Sequence, residues 1–289
     1  MSRFAHATMP GGYWAEGACC REAVLRELTG EDEVYLLEEG ADWLPAQWAT
    51  EALARCVVSL GKKTPATREV MRSLTVGDRE ALLLQLRRLN DGDWLPCVLR
   101  CPTPDCAKMM DLELKVSDLL LPPYAEQREV HVMTVDAGGD SFNVRFHLPT
   151  GSDQETAAVL AQSDLSAAEE LLLRRCVEAV TGPDGAPVQE IPAVVRDKVP
   201  ARMSELDSQA ELTMRLVCPE CGTVFTTIFD TATYVLEEIK ARAHHLDREI
   251  HLLAYHYHWG PAEVLALSAR RRRRHLELLA DELAQERQG

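Results

Sequence analysis

The chain has 289 residues, 46% of them hydrophobic and 27% charged, and its 31 basic against 46 acidic side chains leave a net charge of -15. Such a composition belongs to a soluble globular protein with material for one large or two ordinary cores, and the acidic excess argues against a general nucleic-acid binder. No run approaches the roughly 18 apolar residues of a membrane span, and the opening "MSRFAHATMPGGYW" has no apolar leader segment.

Residues 1–30 carry little periodic pattern and read as a lead-in arm that orders on a partner. Residues 31–93 read as a helical module. "LTGEDEVYLLEEG" offers Thr29 or Asp32 as a cap, and "PAQWATEALARCVVSLG" has apolar residues at helical spacing with Gly61 as its stop. "LTVGDREALLLQLRRLNDGD" predicts a helix capped by Asp78, with Leu82, Leu83, Leu86 and Leu89 on its apolar face.

From residue 94 the pattern changes. "WLPCVLRCPTPDCAKMMDLELKV" combines a cysteine pair in a Pro-rich turn with an alternating strand. "REVHVMTVDAGGDSFNVRFHLPT" predicts a hairpin around "DAGGDS". "GSDQETAAVLAQ" and "DLSAAEELLLRRCVEAV" predict two helices, each opened by a Ser or Asp cap, and a further short helix follows "TGPDGAPVQEIP". "AELTMRLVCPECG" and "TVFTTIFD" then supply a second cysteine pair between two strands.

Residues 231–289 read as helical nearly throughout. One long helix ends at Gly260, and a second begins with Pro261 in its first turn. No repeat appears at solenoid periods.

Nine cysteines without a leader segment are not read as disulfides. Cys56 and Cys176 lie in helical apolar patterns and read as buried, inert thiols. Cys101 and Cys106 match Cys218 and Cys221: each pair follows a similar apolar approach, "CVLRC" or "MRLVC", and leads into a strand. Two such knuckles give the four thiolates of a closed, structural Zn2+ site. The expected fold is therefore α+β. Residues 94–230 form a discontinuous zinc ribbon, with knuckles 101–106 and 218–221 and an inserted β-hairpin and helical subdomain at 115–215. A four-Cys site leaves no open position for a metallohydrolase.

His251, Tyr255 and His258 share a helix face, where packing or partner contact outweighs metal binding because the HExxH spacing is missing. Trp259 reads as an interface anchor. Arg270, Arg271, Arg272, Arg273 and Arg274 circle their helix, so they offer a solvated face, an acidic-partner contact or a nucleic-acid contact. No P-loop, dinucleotide fingerprint, nucleophile elbow or kinase motif set is present, and no small-molecule substrate is expected.

The order "LTGEDEVYLLEEG", "LTVGDREALLLQLRRLNDGDWLPCVLRC", "FHLPTGSDQE" and "LVCPECG" resembles the T-even-type baseplate hub assembly chaperone family of contractile phage tails and contractile injection systems. "LLAYHYHWGPAEVLALSARRRRRHLELL" is similar to phage tail assembly protein E. The resemblance implies a non-enzymatic assembly factor or baseplate component that holds hub, spike or tape-measure proteins. It would act in the cytoplasm of the producing bacterium or stay in the finished particle. It further implies metal ligation by Cys101, Cys106, Cys218 and Cys221 and docking around Trp259. The competing class is a zinc-ribbon nucleic-acid-binding or transcription-associated protein.

Overall fold

The computed structural model describes residues 3–62, 65–126, 128–137 and 139–286. Strands β1 (Phe4–Ala15) and β2 (Ala18–Arg26) form a hairpin, followed by helices α1 (Gly30–Glu38) and α2 (Pro45–Cys56). Strand β3 (Val57–Leu60) continues directly from α2 and completes a three-stranded antiparallel sheet in the order β1-β2-β3. The short α3 (Arg68–Ser73) and the longer α4 (Val76–Asp91) lead to the hairpin β4 (Trp94–Arg100) and β5 (Met109–Lys115), which ends in the single-turn α5 (Val116–Leu119).

The chain then repeats this plan. Hairpin β6 (His131–Ala137) and β7 (Asp140–Phe146) precedes helices α6 (Gly151–Ala161) and α7 (Leu165–Cys176), and β8 (Val177–Thr181) runs on from α7 as the third strand. Helix α8 (Ala193–Leu206) leads to a second cysteine hairpin, β9 (Leu212–Val217) and β10 (Val224–Phe229).

The likeness of the two halves extends to register. Ala23 pairs with Leu60 and Leu25 with Val57, with a slip after Val24. Val144 pairs with Val180 and Phe146 with Val177, with the same slip after Arg145. Both first helices start at a Thr-Gly-x-Asp box: Thr29 and Asp32 for α1, Thr150 and Asp153 for α6. The segment between the knuckles is thus a second copy of the N-terminal plan.

Residues 4–26 are not the expected arm. Ala7, Met9, Ala23 and Leu25 are buried in the first core, with Trp48, Leu53 and Leu83. Alternation along β1 breaks at Gly11 and Gly12, where the register with β2 shifts between Thr8 and Tyr13, so the strand period is obscured. Two expected helices are also shorter than their patterns, because "VVSL" and "VEAV" become β3 and β8. Short β-branched runs at a sheet edge take strand pairing over one more helical turn.

The helix starts at Thr29, Thr75 and Thr150 each meet another helix start head-on. Val76 N donates to Pro149 O at 2.9 Å and Gly151 N to Leu74 O at 3.0 Å, crossing the starts of α4 and α6. Thr75 caps α4, and Asp78, expected as the cap, is a buried acceptor for the N–H groups of Gly11 and Gly12, both at 2.8 Å.

The C-terminal segment begins with α9 (Thr231–Tyr257), 27 residues long, capped by Asp230 and ended by His258 in the left-handed region at φ 57°. Its residues Ala232, Val235, Leu236 and Ile239 complete the first core. The expected second helix is divided into α10 (Pro261–Leu265) and α11 (Ala269–Glu286). The break lies where Gly30 N donates to Leu267 O at 3.0 Å, so the start of α11 crosses the start of α1. A second core lies between the β6–β8 sheet, α7 and α8, centred on Val144, Phe146, Cys176, Val195 and Val199.

Candidate metal centre and partner surfaces

The cysteine hairpins are two separate two-stranded sheets whose inner faces meet. On β4 and β5, Leu95, Cys97, Leu99, Met110, Leu112 and Leu114 point inward, while Trp94, Val98, Asp111 and Glu113 are exposed. The alternation continues on β9 and β10, where Phe225 and Phe229 turn in and Val224 and Ile228 turn out. Register Arg100–Met109 closes one knuckle and Val217–Val224 the other.

Both knuckles fold alike. Cys101 N donates to Lys108 O and Cys218 N to Thr223 O, each at 2.9 Å. The residue after the second cysteine is left-handed in both, Ala107 at φ 45° and Gly222 at φ 71°. The tips touch through the Thr103 and Thr223 hydroxyls, 3.2 Å apart.

Four sulfur atoms converge there, all within 4.8 Å of one another. Cys101 Sγ is 3.7 Å from Cys221 Sγ, and Cys106 Sγ is 3.8 Å from Cys218 Sγ. Zinc–sulfur bonds of about 2.3 Å in a tetrahedron separate sulfurs by about 3.8 Å, whereas a disulfide requires about 2.05 Å. The four thiols are free of disulfides and spaced as tetrahedral ligands. Cys101 and Cys218 are buried and Cys221 is exposed, so the site lies at the tip of the hairpins. The Thr223 hydroxyl, 3.3 Å from Cys221 Sγ, together with the Thr223 amide pulls that thiol down to about 6. Against the pull of the Lys108 backbone, burial and hydrogen bonds to the other three sulfurs carry Cys106 up to about 12, so without a metal the thiolate resides on Cys221.

A second group, His147, Asp153 and Cys176, also brings potential ligand atoms together. Its chemistry is already spent on the fold. Asp153 accepts from Thr150 N at 3.0 Å and pairs with Arg175 at 2.8 Å and His147 at 3.3 Å. Burial pushes the Cys176 thiol up to about 12, the wrong direction for a nucleophile. The first half holds the same arrangement: Asp32 pairs with Arg26 at 2.6 Å and Arg55 at 2.9 Å, beside the buried Cys56. A post filled by arginine in one copy and histidine in the other clamps the start of a helix.

The expected partner residues separate. Tyr255 is 69% exposed, and His258 is exposed at the end of α9. Trp259 packs within the chain, stacked on Tyr257 at 5.0 Å and edge-on to His275 at 4.9 Å, which fastens α11 to α9. Arg272 is withdrawn from the surface at 2% exposure, paired with Glu33 at 2.5 Å and Glu249 at 2.7 Å. Burial against two carboxylates therefore excludes it as a partner contact. Arg270 pairs with Glu27 and Arg273 with Asp91, while Arg271 and Arg274 have no carboxylate partner among the described residues. The sequence reading missed Arg79, which mirrors Arg272 at the other crossing: it is 1% exposed and donates to Ala46 O at 2.6 Å.

A family model described as T4 bacteriophage base plate protein matches residues 22–236. The chain belongs to this base plate family. The matched residues include the second copy of the fold, the first copy from within β2 onward, and all four ligand-type cysteines. The family is structural, so the function is one of base plate assembly, not catalysis. The C-terminal stretch, for which a likeness to tail assembly protein E was expected, lies beyond the matched residues. Comparison with curated proteins and with solved structures found no match. Among the described residues no helix is long and apolar enough to cross a membrane.

Proposed function

We propose that this base plate protein is a zinc-stapled assembly factor or permanent component of a contractile phage tail or contractile injection system, working in the cytoplasm of the producing bacterium. It holds hub, spike or tape-measure proteins while the base plate is built. The observation that carries the reading is the convergence of four sulfurs at tetrahedral spacing from two hairpins that belong to different copies of the fold. Zinc at that point supplies a rigid joint and no reaction. The exposed α9 end around Tyr255 and His258 supplies a contact surface, with Trp259 setting its shape.

A nucleic-acid role is disfavoured by the ribbon itself, where Arg100, Lys108, Lys115 and Arg215 are matched by Asp105, Asp111, Glu113 and Glu220 on the same hairpins. An affinity pull-down of the tagged chain from producing cells, read by mass spectrometry beside purified particles, tests the reading. Recovery of hub, spike or tape-measure proteins is expected, and presence in the particle distinguishes component from chaperone. Recovery of RNA polymerase or nucleic acid without tail proteins would overturn it. Metal analysis of the purified chain should find one zinc per chain, lost in Cys218→Ser.

A further inference from the structure

A polar cleft of about 880 Å³ opens between the last turn of α4, the first turns of α11 and the start of β1. Arg3, Arg88, Arg270, Arg271, Arg273 and Arg274 line it, against the carboxylates of Asp91 and Glu277. Among the described residues Leu89 is its one aliphatic wall residue. So dense a cluster of guanidinium groups is unexpected in a chain of net charge -15.

Part of the charge is neutralised within the fold. Glu27 takes Arg3 and Arg270, Asp93 takes Arg88, and Asp91 takes Arg273. Arg271 and Arg274 remain exposed and without a carboxylate partner among the described residues. They stand three residues apart on α11, where side chains are neighbours on one face. Two unpaired guanidinium forks side by side fit bidentate recognition of carboxylates.

We propose that this cleft is a docking site for a short acidic segment of another protein. Charge complementarity decides between anionic occupants. Carboxylates on a short segment meet the arginines and end there. A nucleic-acid strand has evenly spaced phosphates and must run on past the cleft over a chain of net charge -15, where repulsion acts over a Debye length of about 8 Å. With Leu89 as the sole aliphatic side chain among the described lining residues, the wall also gives a hydrophobic helix no row of apolar side chains to pack on. The proposal rests on the charge of the cleft and not on the base plate reading, so a pull-down without tail proteins would leave it standing.

The test is fluorescence anisotropy on the full-length, zinc-loaded chain. The probes are a short labelled Glu/Asp-rich peptide, its Gln/Asn counterpart, and a single-stranded oligonucleotide of equal charge. The acidic peptide should bind with an affinity that falls as salt rises, and the amide peptide should not bind. The double variant Arg271→Glu/Arg274→Glu should lose roughly tenfold or more in affinity, and Arg271→Ala/Arg274→Ala should fall between it and the wild type. Both residues are exposed, so the melting curve should match the wild type. No peptide binding, or equal binding by the double variant, overturns the proposal. Tighter binding of the oligonucleotide overturns it in favour of nucleic acid. Salt-sensitive self-association abolished by the double variant overturns it in favour of a second copy.

Discussion

Ala107 and Gly222 occupy the same left-handed position, one in each knuckle. Left-handed backbone costs an L-residue with a Cβ roughly 1–2 kcal/mol. At Gly222 an added Cβ would meet nothing within 4 Å, so conformation alone sets the effect there. Gly222→Ala should therefore destabilise the metal-loaded protein by about 1 kcal/mol, and Ala107→Gly should leave stability unchanged or raise it by a similar amount, read by denaturant unfolding. Gly222 was readable from its place in "CPECG"; Ala107 was not, since alanine gives no hint of a positive φ.

Asp78 shows a second limit of reading residue by residue. It sits where a cap was expected, but Thr75 takes that post, and its carboxylate instead holds the backbone of Gly11 and Gly12. Burial, aided by the neighbouring Asp207, pushes it up to about 6. The folded state thus binds the proton more tightly than the unfolded chain. The resulting stabilisation is fully present below the ordinary carboxyl range near 4 and is lost as pH rises through about 6. Carbon NMR should find the Asp78 carboxyl titrating near pH 6, and Asp78→Asn should remove that component from the stability profile between pH 4 and 7. A midpoint near 4 would contradict this account.

Among the elements, the paired helix starts bear on stability most directly. At each crossing a guanidinium lies over a glycine: an added Cβ would come within 1.5 Å of Arg79 Nη1 at Gly151 and 3.0 Å of Arg272 Nη1 at Gly30. The glycine in Thr-Gly-x-Asp serves this close approach, and Glu33 answers the charge at one crossing. Removing one member of a buried pair typically costs 3–5 kcal/mol, because the other charge stays behind. Arg272→Met should cost about that much in thermal or denaturant unfolding, and Arg272→Met with Glu33→Gln considerably less. Equal losses would mean that the pair is not coupled.

The same elements show what the sequence disclosed. Helix cores, the cysteine hairpins and the β6–β7 hairpin follow from clean periodicity. Strands β3 and β8 did not, because each continues a helix without a turn residue, and a short apolar run fits either period. The split between α10 and α11 depends on Thr29, far away in sequence, meeting Ser268. A tertiary contact of that kind leaves no local mark.

Over the whole molecule, the four cysteines were legible from their spacing, and the duplication around them was hidden. "RELTGED" with "ARCVVSL" and "FHLPTGSD" with "RRCVEAV" carry it, but few residues are identical; the likeness resides in caps, register and the Arg-Cys helix ends. Each copy contributes one knuckle, so the proposed zinc joins two halves that each own a core. Chelation should then act unevenly. Hydrogen exchange after metal removal should lose protection in residues 97–112 and 214–226, where little apolar area is buried besides Met110 and its neighbours. Strands β1–β3 should keep their protection, because their core contains no ligand. Uniform loss throughout would show that the metal supports the entire fold.

The separation of the thiol pairs also sets an order in time. Cys101 and Cys106 leave the ribosome while their partners lie 120 and 112 residues downstream. At about 5–20 residues per second, the first knuckle waits on the order of ten seconds with half a ligand set. The first core waits longer still, because Ile239 of α9 belongs to it. Metal capture is therefore a late step in the birth of the chain, and a nascent chain stalled before Cys218 presents the two open thiols of the first knuckle to any oxidant or competing ion.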